Sequence, residues 1–325
     1  MATPMNRGAF PYLNDREIAK MVLAEYMKIP TFYDAVAKIM DFPKGRYYSE
    51  AEITGLGELR AMGEGEAVSF DVPAEGHKKT IQQVKFGLGF QHTDEAKMDD
   101  LFNMVSKMAP SLAESAAFCR EQNFWNLFNN GFSGGGVTAW DGNPVFYAHT
   151  TMKSGDTITN LGAADLSDTS LKAAFDYFLT LQKENGLPAY IDPDLLIIPQ
   201  SSRYIAHDLL KSTGRVWEGV DEHGIANDAT HYVGTANSDK SFSNALNPTF
   251  NVVPKWNYMA PRYIDDADSW FLVSKKFADA RFYWGKKPTM SKSDDFATDN
   301  TLYKLIMRFA VAVFDYKGMY GSPGA

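Results

Sequence analysis

One histidine and four carboxylates crowd into the segment FGLGFQHTDEAKMDD, as His92, Asp94, Glu95, Asp99 and Asp100. Residues of these types could ligate a metal ion or exchange protons with a substrate. Their spacing argues against both. Asp99 and Asp100 are adjacent, so on a helix they point about 100° apart and cannot share one ligand with Asp94 or Glu95. Thr93 or Asp94 instead stands where a helix N-cap belongs, and Glu95 in the first turn suits the unpaired amides and the positive end of the helix dipole.

Three other constellations invite chemistry. GFSGG, residues 131–135, satisfies the G-x-S-x-G pattern of a serine nucleophile elbow, and His149 would be the base for Ser133. That elbow needs a strand before it and a helix after it, whereas here a long helical pattern precedes and a glycine-rich loop follows. Asp221, His223, Asp228 and His231 come nearest to a metal cluster. No histidine pair has the i, i+4 spacing of a helical zinc site and no cysteine pair accompanies them, so they read as a solvated polar loop. The lone Cys119 lies in a helical pattern as a small buried hydrophobe. No catalytic, cofactor-binding or metal residue is assigned, and the reading is of a protein that is not an enzyme. The rival is an α/β hydrolase-like enzyme using Ser133 and His149.

The elements that carry these residues follow from composition and periodicity. A chain of 325 residues, 45% hydrophobic and 22% charged, can bury a large core over two or three subdomains. No apolar run approaches the ~20 residues of a membrane span. The N-terminus lacks the order of a secretory signal, so the protein is expected to stay where it is made. A net charge of -8 argues against a surface built mainly to grip phosphate backbones. Aromatic residues at 14%, with 14 methionines, suit extensive apolar contact.

Ile18, Val22, Tyr26 and Ile29 predict a helix ended by Pro30, followed by an amphipathic turn from Tyr33 to Met40. Glycines 55, 57, 63 and 65 mark a flexible stretch. Val68, Phe70 and Val72 alternate, PAEGHKK supplies turn residues, and Val84, Phe86, Leu88 and Phe90 alternate again. These predict a long β-hairpin with His77, Lys78 and Lys79 at its tip and nothing adjacent to cover its apolar face. From Asp94 to Phe132 apolar positions step by threes and fours, predicting a long helix interrupted near Ala109 by Pro110. A helix from Ser167 to Asn185, a strand in DPDLLIIP, and a helix from Ser201 to Ser212 with Ile205, Leu209 and Leu210 inward form an α/β subdomain. The remaining chain reads as β.

The order of elements and several motifs resemble the major capsid proteins of tailed bacteriophages, most closely the Mu-like head subunits. The motifs are FGLGFQHTDEAKMDDL, FWNLFNNG followed by DGNPVFYAHTT, IDPDLLIIPQSSRYIAHDLL, NVVPKWNYMAPRYIDDADSWFLVS and FAVAVFDYKGMYGSPG. The resemblance, over about residues 15 to 321, implies an α+β Johnson fold. Residues 1–53 would be an N-terminal arm and 54–91 an extended E-loop hairpin laid over a neighbouring subunit. Residues 92–165 would be a peripheral domain with its spine helix, 166–262 an axial domain, and 263–325 strands returning to the peripheral domain. It further implies self-assembly into pentamers and hexamers of an icosahedral shell around double-stranded DNA, with a separate scaffolding protein and a portal as partners. The packaged DNA would be touched only weakly, and the location would be the virion capsid, built in the bacterial cytoplasm without cofactors. Expected assembly contacts are Phe70, His77, Lys78, Lys79, Phe86 and Phe90.

Overall fold

The computed structural model describes residues 11–93, 104–135, 137–152, 155–211, 257–295 and 300–325. The carboxylates of the opening segment and the Asp221 to His231 loop lie outside them. Two compact units divide the chain, one of residues 1–51, 78–128 and 280–314, the other of residues 52–77, 129–279 and 315–325.

The first unit is built on a four-stranded sheet in the order β1-β10-β11-β4. Its strands are β1 (Lys38–Asp41), β4 (Val84–His92), β10 (Ala280–Asp294) and β11 (Thr301–Val313). β1 runs parallel to β10, and the other pairings are antiparallel. Alternation along β11 decides the sides: Thr301, Tyr303, Leu305, Met307 and Phe309 are buried, while Lys304 between them is exposed. Helix α1 (Pro11–Lys28) buries Val22 and Tyr26 and ends before Pro30, as expected. The amphipathic turn expected from Tyr33 to Met40 is instead a short 3-10 turn, Tyr33–Ala35, followed by strand β1.

Helix α2 (Met104–Asn129) runs through Pro110 without a break, so of the kink or break expected near Ala109 the break does not occur. Proline removes one backbone bond. The turns that follow bury Leu112, Ala113, Ala116, Phe124, Trp125 and Phe128, and that burial exceeds the loss. Phe124 meets Tyr33, which packs on Phe282, which stacks on Phe309 at 5.0 Å, so helix and sheet share one aromatic core. The Glu121 carboxylate accepts the backbone N–H groups of Phe32 and Tyr33 at 3.2 Å each, and the Trp125 indole N–H at 3.0 Å. Burial raises the pKa of Glu121, and these donors pull it back.

The second unit holds a sheet in the order β12-β9-β7-β8, from Met319–Ser322, Trp270–Val273, Leu195–Ile197 and Asn257–Met259. Over it lie α3 (Asp168–Thr180) and α4 (Arg203–Lys211), which bury Leu171, Ala174, Phe178, Ala206 and Leu210 in one cluster with Trp270 and Leu272. Ser167 caps α3 through a reciprocal capping box with Ser170. α3 ends at Thr180 rather than Asn185 because Leu181 to Ala189 double back: the Ala189 N–H donates to Leu181 O and the Lys183 N–H to Leu187 O. On α4 it is Ala206 and Leu210 that turn inward, while Ile205 stays 48% exposed. A short pair, β5 (Ala148–Thr150) and β6 (Thr157–Thr159), completes this unit.

Strands β2 (Tyr47–Ile53) and β3 (Glu75–Gln82) pair with each other. The expected hairpin is thereby corrected. Val68, Phe70 and Val72 lie in no strand, PAEGHKK opens β3 instead of turning, and β4 pairs with β11. The alternation of residues 68–72 had no strand to pair with, whereas Tyr47–Ile53 did.

Candidate assembly surface

Between β2 and β3 runs a loop of residues 54–74, staple-closed at its base. The Thr54 N–H donates to Ala74 O at 3.0 Å, and the Ala74 N–H donates to Thr54 Oγ1 at 2.9 Å. Thr54 is fully buried. Higher up, the Gly57 N–H donates to Asp71 Oδ2 at 2.7 Å, and Asn185 Nδ2 donates to Leu56 O at 2.6 Å. Glycine at 57 gives the close backbone approach that the cross-loop Asp71 carboxylate needs.

A buried ionic group sits beside the base. The Lys317 ammonium lies 2.5 Å from Glu184 Oε1, 3.6 Å from Asp315 and 3.9 Å from Glu52, the residue before the last of β2. His77 Nδ1 is 3.8 Å from Glu52. Burial opposes the charge on Lys317, but Asp315 and Glu184 outweigh it and raise its pKa. Burial also raises the pKa of Glu52, against the pull of Lys317.

Beyond this base the loop spends its apolar side chains on water. Leu59 is 96% exposed and Phe70 92%, with Ile53, Leu56, Met62, Val68 and Val72 exposed as well. Burying one such side chain is worth about 1.5–3 kcal/mol, which these exposed residues do not gain within their own chain. Sequence reading singled out Phe70 and not the likewise exposed Leu56, Leu59 and Met62, because the glycines among them erase periodicity. Their signal was composition: large aliphatic side chains in a segment with no core of its own.

The other expected contact residues are distributed. His77, Lys78 and Lys79 lie within β3, not at a tip; Lys78 is exposed, whereas Lys79 donates to Val313 O at 2.5 Å. Phe86 stacks on Phe309 at 4.6 Å and Phe90 on Tyr303 at 5.1 Å, so both rings are engaged within the first unit. Phe86 and Leu88 of β4 also line a cavity of about 190 Å³ with Leu112, Ala116, Leu305 and Met307.

His149 is not placed to activate Ser133. It is fully buried, with Nδ1 2.8 Å from Asp141 Oδ2 and Nε2 3.2 Å from Val145 O, and its ring lies 3.7 Å above that of Tyr316. Both nitrogens face acceptors, so neither is left for a hydroxyl proton. Ser133 sits in the turn after α2, its N–H donating to Asn130 O. The arrangement pins a loop and offers no acyl-transfer site.

The family model for phage capsid protein matches residues 78–322. The chain belongs to the phage capsid protein family. No curated protein matches it by sequence. Solved structures similar to this capsid protein include the capsid of a native GTA particle, at TM-score 0.56 and 11% identity over 91% of this chain and 92% of that one. The capsid of cyanophage P-SCSP1u matches at TM-score 0.53 and 13% identity, over 91% and 88%. A virus-like particle from Pyrococcus furiosus matches at 0.50 and 11% identity, over 94% and 98%. At these identities the likeness is one of fold, and that fold is the Johnson fold of phage capsids.

Proposed function

We propose that this capsid protein builds a closed icosahedral shell from pentamers and hexamers of itself, and that the loop of residues 54–74 is its extended E-loop, lying over a neighbouring copy. The exposure of Leu59, Phe70 and Val72 carries the reading. These side chains have no cover in the chain that bears them, and a shell gives every copy a neighbour. Many modest contacts of this kind become effectively irreversible when each subunit makes several at once. Phe70 and Lys78 remain as contact residues. The shell would enclose double-stranded DNA, use a separate scaffolding protein and a portal, and assemble in the bacterial cytoplasm. The Mu-like affinity rests on the sequence motifs.

Thr54 and Ala74 are bonded directly to each other, so a two-residue Asn-Gly turn can replace residues 55–73 without moving the strands. The shortened subunit is expected to stay folded and to form no shells by electron microscopy. Shells at normal yield would overturn the assignment.

A further inference from the structure

Charge is distributed unevenly in this chain. Strands β4, β10 and β11 carry seven basic residues and one acid, Asp294, in a protein whose net charge is -8. The register sets Lys85 opposite Arg308 and Arg308 opposite Lys286, three cations in one row across three strands. Neighbouring strands are about 4.8 Å apart, so the row spans roughly 10 Å. Lys304 points from the same face farther along β11, opposite Ser291 and Gly89. Lys85, Lys286 and Lys304 are exposed, and among the described residues none of the four has an ion-pair partner.

Like charges set opposite each other across strands destabilise a sheet. Toward the other end of the same face the charge is met. Arg281 reaches Glu50 at 2.5 Å, and Tyr283 is covered by Phe42 and Tyr48. Among the described residues the row at Lys85, Arg308 and Lys286 has no ion-pair partner, and between it and Lys304 lie Gly87, Ile306 and Thr289, with the register of β10 shifted between Lys286 and Thr289.

We propose that this basic row seats the acidic E-loop of a second copy. Residues 54–74 hold four acids against one arginine, and Glu58, Glu64 and Glu66 are exposed. Glu58 and Glu64 have no partner among the described residues. Acid and apolar side chains are interspersed along that loop, which suits cations bordering small and aliphatic residues. Because every copy carries both the acidic loop and the basic row, the contact is heterologous, the kind that closes into rings. It rests on the reading of residues 54–74 as the E-loop and adds the surface that receives it.

The test is charge reversal in the full chain. Lys85→Glu with Lys286→Glu, both at exposed positions, is expected to cut shell yield about ten-fold without lowering the subunit's melting temperature, since each glutamate then faces Arg308. Glu58→Lys with Glu64→Lys should do the same. All four together should restore shells, and wild-type assembly should weaken as salt rises. Normal shells from either pair, or a combination no better than its parts, would overturn the proposal. So would normal empty shells from the lysine variant with loss of binding to a labelled DNA duplex, which would assign the row to nucleic acid. Loss of assembly on shortening the loop, with no effect of the reversals, would sink this inference alone. Normal assembly with the short loop would sink the E-loop reading too.

Discussion

The ammonium of Lys317 lies 2.5 Å from the carboxylate of Glu184, and both side chains are about nine-tenths buried. Glu52 and Asp315 complete the group, so three carboxylates surround one lysine at the foot of the loop of residues 54–74. Lys317→Met removes the only cation of the four and strands the carboxylates in a poorly solvated site. Breaking a buried pair from one side costs about 3–5 kcal/mol. Urea denaturation should register that loss, and limited proteolysis should cut residues 54–77 faster. A change below 1 kcal/mol would show that the carboxylates are solvated despite their burial.

The exposed loop residues should separate folding from assembly. Phe70 is 92% exposed, so Phe70→Ser removes almost nothing from the isolated subunit, and its stability should move by less than about 0.5 kcal/mol. Paired with Leu59→Ser, it should sharply reduce sedimenting shells. A fall in subunit stability to match would mean that the ring packs within its own chain.

Much of this fold was legible because its longest elements are periodic. β11 alternates from Thr301 to Phe309, and α2 steps in threes and fours. What failed was pairing. The partner of β4 is β11, more than 200 residues away, and period-two alternation says which side is buried without naming the neighbour. β2 was invisible for a different reason: Tyr48, Glu50 and Glu52 share one face, and a polar strand carries no hydrophobic rhythm. Its Glu50 finds Arg281 only once the chain has returned. Of the apolar side chains exposed in the loop of residues 54–74, Phe70 was singled out by sequence and Leu59 was not, since exposure of an apolar residue is a property of the fold and not of its spelling. His149 read from sequence as a structural loop residue, with a base for Ser133 as the rival; its two acceptors, Asp141 and Val145, agree with the structural role.

Acid should loosen the loop that His149 pins. Burial works against the Asp141 charge, but hydrogen bonds from His149 and Asn143 prevail and hold its pKa at about 2. A carboxyl depressed in the folded state adds stability above its unfolded value, about 3.9, and that stability is lost as pH falls toward 2. The amount is about 2 kcal/mol. Unfolding measured from pH 5 down to pH 2 should show this slope, and Asp141→Asn should flatten it while lowering stability at pH 7. An unchanged slope in the variant would assign acid sensitivity to other carboxylates.

Gly318 tests how tightly the turn into β12 is packed. A Cβ built there meets the backbone nitrogen of Ala278 and lies 2.5 Å from the carbonyl carbon of Phe277. Neither atom can rotate away, unlike the end of a side chain. The same turn is tied down twice, by the Ser274 N–H donating to Gly318 O at 2.9 Å and the Ala278 N–H donating to Ser274 O at 2.7 Å. Gly318→Ala must therefore displace backbone and break one of these bonds, at a cost of about 1–3 kcal/mol. Gly142→Ala is the control, because nothing lies within 4 Å of its Cβ and only its positive φ of 80° is strained. Its cost should be smaller, about 1 kcal/mol. Thermal melts of the two variants side by side check the order; equal losses would mean that the Phe277 to Ala278 backbone yields freely.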